Sequence, residues 1–398
     1  MDVAHQQENV GSVTADNPNS YQPDNIEIAA TGVYCFTGDE PFMLFGAVAS
    51  NMCFSRPDPI LEAPALNGDG FDPIVKCEID DFVDAEPDER MRNCVLHAID
   101  SVLHNYDVNI DTIEKILLHI VVPTQGEARN QQLMLDEWQE MIIMSNYFHD
   151  NVVIRFSLSG ESTARQLITV SEEIDNGTWD LVLFGAVDSL VDEITCQRLA
   201  RDYRVQTTKA ADGVVPGEAA AFVLLRKTSE KNASGIHIKS IAALDELDAI
   251  DADMTHKQTL GNTIALAAKN ATIAVDDIET LIVPHGTETT SMMEWNQTLH
   301  RIWPNMLSEE KRLAMQLGEI DSPELSSRSY PEELNPIFSY GDMGVANVLV
   351  SLVLSVARFN YHMPAITKCM ICDMGNSAGR GAIYIESISD TVAVSDVA

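Results

Sequence analysis

A chain of 398 residues is long enough for one large domain or two ordinary ones, and its 45% hydrophobic and 22% charged content is that of a water-soluble globular protein. Its 61 acidic residues against 25 basic ones give a formal charge of −36, a field that repels DNA, RNA and anionic lipid and sets nucleic-acid binding aside. Seven cysteines make an odd number, and no N-terminal stretch joins basic residues to an apolar run. Neither a disulfide framework nor a signal peptide is therefore expected, and a cytoplasmic location follows.

Residues 1–25 are polar and read as a disordered arm. Ile26 to Val33 opens the first strand, and the acidic, Pro-broken stretch Asp69 to Pro87 reads as loop. From Arg90 to Asn105 the apolar residues Met91, Val95, Ala98, Ile99 and Val102 fall at the spacing of a half-buried helix. Ile116 to Val122 is a buried strand, and Val152 to Ser157 a β-branched one. Ser162 to Ile174 is helical and stops at Asn176-Gly177. The strand Asp180 to Val187, a helix, and the strand Ala219 to Leu225 follow, and Lys227 to Ser234 is a polar break.

The second half repeats the theme, with a strand at Ile236 to Ala243, a helix near Thr263 to Asn270 and a strand at Thr280 to Pro284. Residues 305–335 read as a charged surface excursion. Gly344 to Phe359 is an apolar run short for a bilayer and interrupted by Asn347, which fits a helix buried in a large protein. Ala382 to Ile388 is the closing strand. Alternating strands and helices indicate an α/β fold with covered sheets, built as two pseudo-equivalent halves. The divisions are residues 26–232, residues 233–389 and a tail at 390–398. Cys369-Met370-Ile371-Cys372 is a lone CxxC; no further cysteine pair or spaced histidine pair completes a zinc site, so no metal is expected.

Four stretches, in order, resemble landmarks of the β-ketoacyl-ACP synthase (ketosynthase) family of the thiolase superfamily. Asp212-Gly213-Val214-Val215-Pro216-Gly217-Glu218-Ala219-Ala220-Ala221 is similar to its DG-GEGAA strand opening. Pro284-His285-Gly286-Thr287-Glu288-Thr289 resembles its HGTGT loop. Ser339-Tyr340-Gly341-Asp342-Met343-Gly344 resembles the GH-containing turn before a buried helix, and Asn376-Ser377-Ala378-Gly379-Arg380-Gly381 the Gly-rich loop before the last strand. The resemblance covers residues 26–389 and implies a thiolase-like fold of two βαβαβ halves in α-β-α-β-α layers.

The family works through a cysteine at the start of a buried helix, which takes an acyl group as a thioester, and two histidines that stabilise the enolate formed on decarboxylation. Counting back from Gly177 and Asp180 places that cysteine at Gly160, and no cysteine lies between Cys94 and Cys196. His285 matches the first histidine and Asp342 the second; the lysine maps to Ile337 and the gating phenylalanine to Arg380. The resemblance thus implies a degenerate, chain-length-factor-like member without the thiol.

Each residue also has a plainer reading. His285 is a catalytic remnant or a hydrogen-bonded core histidine. Gly160 relieves crowding at a helix start. Glu161 is a carboxylate next to the lost nucleophile or a charge complementing the helix dipole, and Ser159 and Ser162 are substitute nucleophiles or caps. Cys372 faintly resembles the second cysteine of thiolases. Ser159, Ser162, Thr287, Thr289 and Arg380 are assigned to the substrate-binding wall. No cofactor is implied.

Three functions compete. The first is a non-catalytic subunit that dimerises with an active ketosynthase through the strand at Val152 to Ser157, leaving acyl carrier protein to the partner. The second is an acyltransferase or malonyl decarboxylase rebuilt on Ser159, Ser162 or Glu161 with His285. The third is a homodimeric scaffold for a non-acyl ligand.

Overall fold

Runs of β-branched and aliphatic residues with no polar face form strands covered on both sides, and the amphipathic stretches between them supply the cover. The computed structural model describes residues 19–389 except 66–67, 69, 107–109, 111–112, 125–127, 146, 149–151, 230–232, 246–258, 304–312, 315–316, 320–329, 362–363 and 376–378.

After a short β1 (Ser20–Tyr21), the first half runs β2 (Ile26–Tyr34), α1 (Pro41–Ala49), the hairpin β3 (Arg56–Pro64) and β4 (Phe71–Lys76), α2 (Pro87–His104), β5 (Ile116–Val122), α3 (Ala128–Met144), β6 (Val152–Leu158), α4 (Thr163–Asp175), β7 (Leu181–Ser189), α5 (Glu193–Arg201) and β8 (Glu218–Lys227). The second runs β9 (Gly235–Asp245), α6 (Thr259–Asn270), β10 (Thr280–Ile282), α7 (Thr289–Ile302), β11 (Glu332–Leu334), α8 (Pro336–Tyr340), α9 (Asn347–Tyr361), β12 (Lys368–Asp373) and β13 (Gly379–Ile388).

The first half orders its strands β6-β5-β7-β8-β2, and the second β11-β10-β12-β13-β9. Leaving aside β1 and the hairpin, each half therefore places its third strand at the edge, followed by its second, fourth, fifth and first. The pairing sense matches too. β5 is parallel to β6 and β7, as β10 is to β11 and β12. β8 is antiparallel to β7 and β2, as β13 is to β12 and β9. The halves meet where Ile26 and Glu27 of β2 pair with Ile238 and His237 of β9. The pseudo-equivalent halves expected from the strand–helix alternation are thus present in strand order and direction.

Alternate residues of β5 divide between two cores. Leu117 and Val121 pack into the central one with α4 and α9, while Leu118 and Ile120 pack outward under α2 and α3. Leu281 and Met370 face a third core under α6 and α7. The result is the layered α-β-α-β-α arrangement, with α4 and α9 as its middle layer. Residues Asn347 to Arg358 of α9 are all buried. The apolar segment Gly344–Tyr361 is long enough to cross a membrane, but 78% of it lies inside the fold.

Several expectations need correction. The stretch Asp69 to Pro87 is not simply loop: Phe71–Lys76 pairs with β3, and Asp80–Phe82 forms a short 3-10 turn. The hairpin tolerates Pro57, Pro59, Pro64 and Pro73 because it stands apart from the main sheet. The polar arm does not extend to residue 25, since Ser20 and Tyr21 pair with Ala242 and Ile241, and the Tyr21 hydroxyl donates to Asp175 at 2.5 Å. Residues 1–18 and the tail 390–398 lie outside the described residues. Within the 305–335 excursion, Glu332–Leu334 is an edge strand.

Candidate functional site

β6 ends at Leu158, and the Ser162 hydroxyl then caps α4 by accepting the Arg165 amide at 3.2 Å. Gly160 lies in the turn between them. A Cβ built there meets nothing within 4 Å, which corrects the reading that glycine relieves crowding at this helix start. The Ser159 hydroxyl accepts the Thr124 amide at 3.0 Å, which ties the ends of β5 and β6 together. Glu161 is exposed.

This turn forms one wall of a cavity of about 860 Å³. The cavity lies off the carboxyl ends of β5, β6, β7 and β12, where an open α/β sheet leaves room for ligands. Met134, Leu190, Ile194, Val345 and Val348 supply apolar wall. Ser159, Glu161 and Ser162 line it, whereas His285, Asp342, Thr287, Thr289 and Arg380 do not. None of the seven cysteines does so either; six are buried elsewhere and Cys53 is exposed. Cys369 and Cys372 lie three apart on β12, so their side chains enter opposite cores and cannot share a metal or a disulfide. Burial pushes the Cys372 thiol far above its usual range, which removes its resemblance to a reactive second cysteine. Among the described residues no three His, Cys, Asp or Glu side chains are grouped to hold a metal ion.

Two cavity residues escaped the sequence reading. Asp188, near the end of β7, is 4% exposed and accepts the Val345 amide at 3.0 Å, just before α9. Asp373, the last residue of β12, is 2% exposed and accepts the Ala164 amide at 3.1 Å, in the first turn of α4. β7 and β12 are equivalent strands of the two halves, as α4 and α9 are equivalent helices. Each half's fourth strand therefore caps the other half's buried helix. Gly344 makes the first contact possible. Its φ is +54°, and a Cβ would stand 1.9 Å from an Asp188 oxygen. Burial raises both carboxyls, and that of Asp188 is pushed up to about 7 with the nearby charges of Asp342 and Asp192 adding to it. The only sequence signal for either residue is a carboxylate closing an otherwise apolar strand.

The floor beside Asp188 is held from behind. The Ser189 hydroxyl donates to Glu218 at 2.9 Å. Glu218 also takes two bonds from Arg90, at 2.6 and 3.0 Å, and the Ile79 amide at 2.8 Å. Glu218 belongs to the strand opening that resembles DG-GEGAA, so that motif acts here as a structural anchor.

The histidine loop is a latch rather than a cavity wall. Thr287 donates to the Gly213 carbonyl, and Thr289 bonds both oxygens of Asp212 at 2.8 and 2.9 Å. Glu288 receives a forked pair from Arg204 at 2.8 and 2.9 Å. His285 is buried, stacked on Trp295 and edge-on to Phe338, with Nε2 3.4 Å from Glu333. Asp342 accepts Asn347 Nδ2 at 2.7 Å and the Gly344 amide at 2.9 Å, while burial raises its carboxyl. Arg380 forks onto Glu294 of α7 at 2.7 and 3.1 Å. The assignment of Thr287, Thr289 and Arg380 to a substrate wall is therefore corrected: their polar groups fasten loops to one another. Asn376 to Ala378 of the last Gly-rich loop lie outside the described residues.

The layers and the strand order are those of a thiolase-like fold. No family model matches the chain, and no curated protein matches it by sequence. Solved structures do. A type II polyketide ketosynthase complexed with its acyl-carrier protein, AntDE:AntF, matches with a TM-score of 0.65 at 11% identity, over 92% of this chain and 100% of that one. The ketosynthase ApeO with its chain length factor ApeC, from Xenorhabdus doucetiae, matches at 0.63 and 14%, over 92% and 98%. The ishigamide ketosynthase/chain length factor matches at 0.62 and 13%, over 92% and 100%.

Proposed function

We propose that this chain is a non-catalytic, chain-length-factor-type subunit that pairs with an active ketosynthase in polyketide- or fatty-acid-like synthesis. The observation that carries the reading is the cavity at the start of α4, which among the described residues has no cysteine and no histidine in its wall. Acyl transfer to a thiol and enolate stabilisation by imidazole both lack their groups there.

Two further features support it. Among the described residues β6 is an edge strand paired only with β5, and Val153 and Leu158 are 45% and 44% exposed, so a partner's strand has a place to pair. The net charge of −36 disfavours an acidic carrier protein on this chain and leaves carrier docking to the partner. Against the rebuilt acyltransferase or decarboxylase, Ser162 is engaged as a helix cap and His285 is absent from the cavity wall.

The purified chain, incubated with malonyl- and acyl-carrier protein, is expected to gain no mass and release no carbon dioxide. Acylation of the chain alone, abolished by His285→Ala, would overturn the reading. In the native complex it is expected to co-purify with a ketosynthase that has its cysteine; a homodimer alone would favour the scaffold instead.

A further inference from the structure

We propose that a groove beside β2 is the docking site of this chain's own C-terminal segment, residues 390–398, which adds to the free edge of β2 as a parallel strand. The groove, about 490 Å³, shares no residue with the cavity at the start of α4. β9 pairs with β2 only through Ile26 and Glu27. From Ile28 onward β2 therefore has β8 on one side and, among the described residues, no strand on the other. Ile28, Ala29, Ala30 and Thr31 form one wall of the groove. Backbone donors and acceptors along such an edge are a template on which an extended segment adds. The Asn105 amide, also in the wall, donates to the Thr31 carbonyl at 3.2 Å and marks where the free stretch stops.

Position and direction select the occupant. β13 ends at Ile388, which pairs with Gly235 and itself lines the groove, so the segment that follows begins at the mouth. β13 and β2 are both antiparallel to β9 and thus run the same way, and a chain continuing from β13 enters parallel to β2. Two strand spacings, about 10 Å, separate the two positions; about three of the nine residues cross them and about six remain to lie along the edge. Val392 and Val394 fall on one face of that stretch, Thr391, Ala393 and Ser395 on the other. The groove offers Val356 and Ala357 of α9 to the valines, and Asn105 at the end of α2 to the hydroxyls. Glu27 is paired with Arg226 at 2.7 Å and Glu40 is exposed at the rim, so Asp390 and Asp396 meet neutralised or screened charge. The other terminal segment is worse placed. The Ala243 amide donates to the Asn19 carbonyl, so residues 1–18 leave from the far end of β9, about 25 Å from Gly235.

The test ends the chain after Ser389. Hydrogen exchange at the Ile28 to Thr31 amides that β8 does not hold is expected to be at least about tenfold faster in the shortened chain than in the full one. A labelled peptide of residues 389–398 is expected to bind the shortened chain, and to bind the full chain at least about tenfold more weakly, because the tethered segment competes at high local concentration. The same peptide carrying Val392→Asp and Val394→Asp is expected not to bind. Exchange unchanged by the shortening overturns the proposal, as does a peptide that binds both chains alike or neither. Protection that the full chain gains only at higher protein concentration would give the groove to the segment of a second copy, and overturns it as well. Should the shortened chain not fold, the full chain carrying Val392→Asp and Val394→Asp takes its place. Fast exchange at the β2 edge with unchanged thermal melting then upholds the proposal, and exchange equal to wild type overturns it.

Discussion

The cavity floor and the histidine loop teach opposite lessons about the same set of motifs. Thr287 and Thr289 in the HGT-like loop spend their side chains on Gly213 and Asp212, and Arg380 of the last Gly-rich loop spends its own on Glu294. Asp188 and Asp373, which no motif singles out, are buried carboxyl groups in the cavity wall. The loop side chains fasten neighbouring loops, while two strand-end carboxyls hold backbone amides where α4 and α9 begin.

The hardest blow to that contrast is Gly344→Ala. A methyl group there collides with the Asp188 carboxylate at a positive φ, and a loss of about 3 kcal/mol or more in denaturant unfolding is expected. A loss under about 1 kcal/mol would show that the β7–α9 contact is not tight.

The second effect is pH. In the folded chain Asp188 holds its proton up to about 7, against 3.8 for an ordinary aspartate, and Asp342 and Asp373 are raised as well. Folding therefore takes up protons in that window, and stability falls as pH rises through it, by an amount on the order of a few kcal/mol. Thermal melts from pH 5 to pH 8 are expected to show the decline, and Asp188→Asn to flatten it. A stability that rises over this range would contradict carboxyls whose burial outweighs their hydrogen bonds.

Thr287→Val strikes the latch instead. It strands the Gly213 carbonyl and is expected to cost about 1–2 kcal/mol with no change in the pH profile. The smallest change is Gly160→Cys, where a side chain meets open space. Stability is expected to shift by no more than about 0.5 kcal/mol, and the new thiol to react with a maleimide faster than the buried cysteines. A large loss there would restore the crowding argument.

Much of the scaffold was legible because its signals are local. β5 is a short run that is apolar except for His119, α4 has a serine cap and a glycine stop, and α9 is a mostly aliphatic helix, so period and boundary residues sufficed. β3 and β4 were hidden by four prolines, and β12 by a cysteine spacing that drew attention to metal chemistry. The site was less legible because its contacts are distant in sequence. Asp188 meets Val345 157 positions away, and Asp373 meets Ala164 209 positions away, so no window contains both partners. Counting along the helix located the turn at Gly160, but not that His285 would stand outside the cavity wall.

The lateral partner of β2 sets a timetable for the growing polypeptide. Tyr34 pairs with Ala220 and Ile26 with Lys227, so the first long strand has its main neighbour nearly two hundred residues further along. At the usual pace of translation that interval is roughly ten to forty seconds, during which an apolar, unpaired ribbon must be shielded from other nascent chains. A release of the chain before β8 is made leaves that ribbon without its ladder, and truncation upstream of Glu218 is expected to yield aggregate rather than a smaller folded unit.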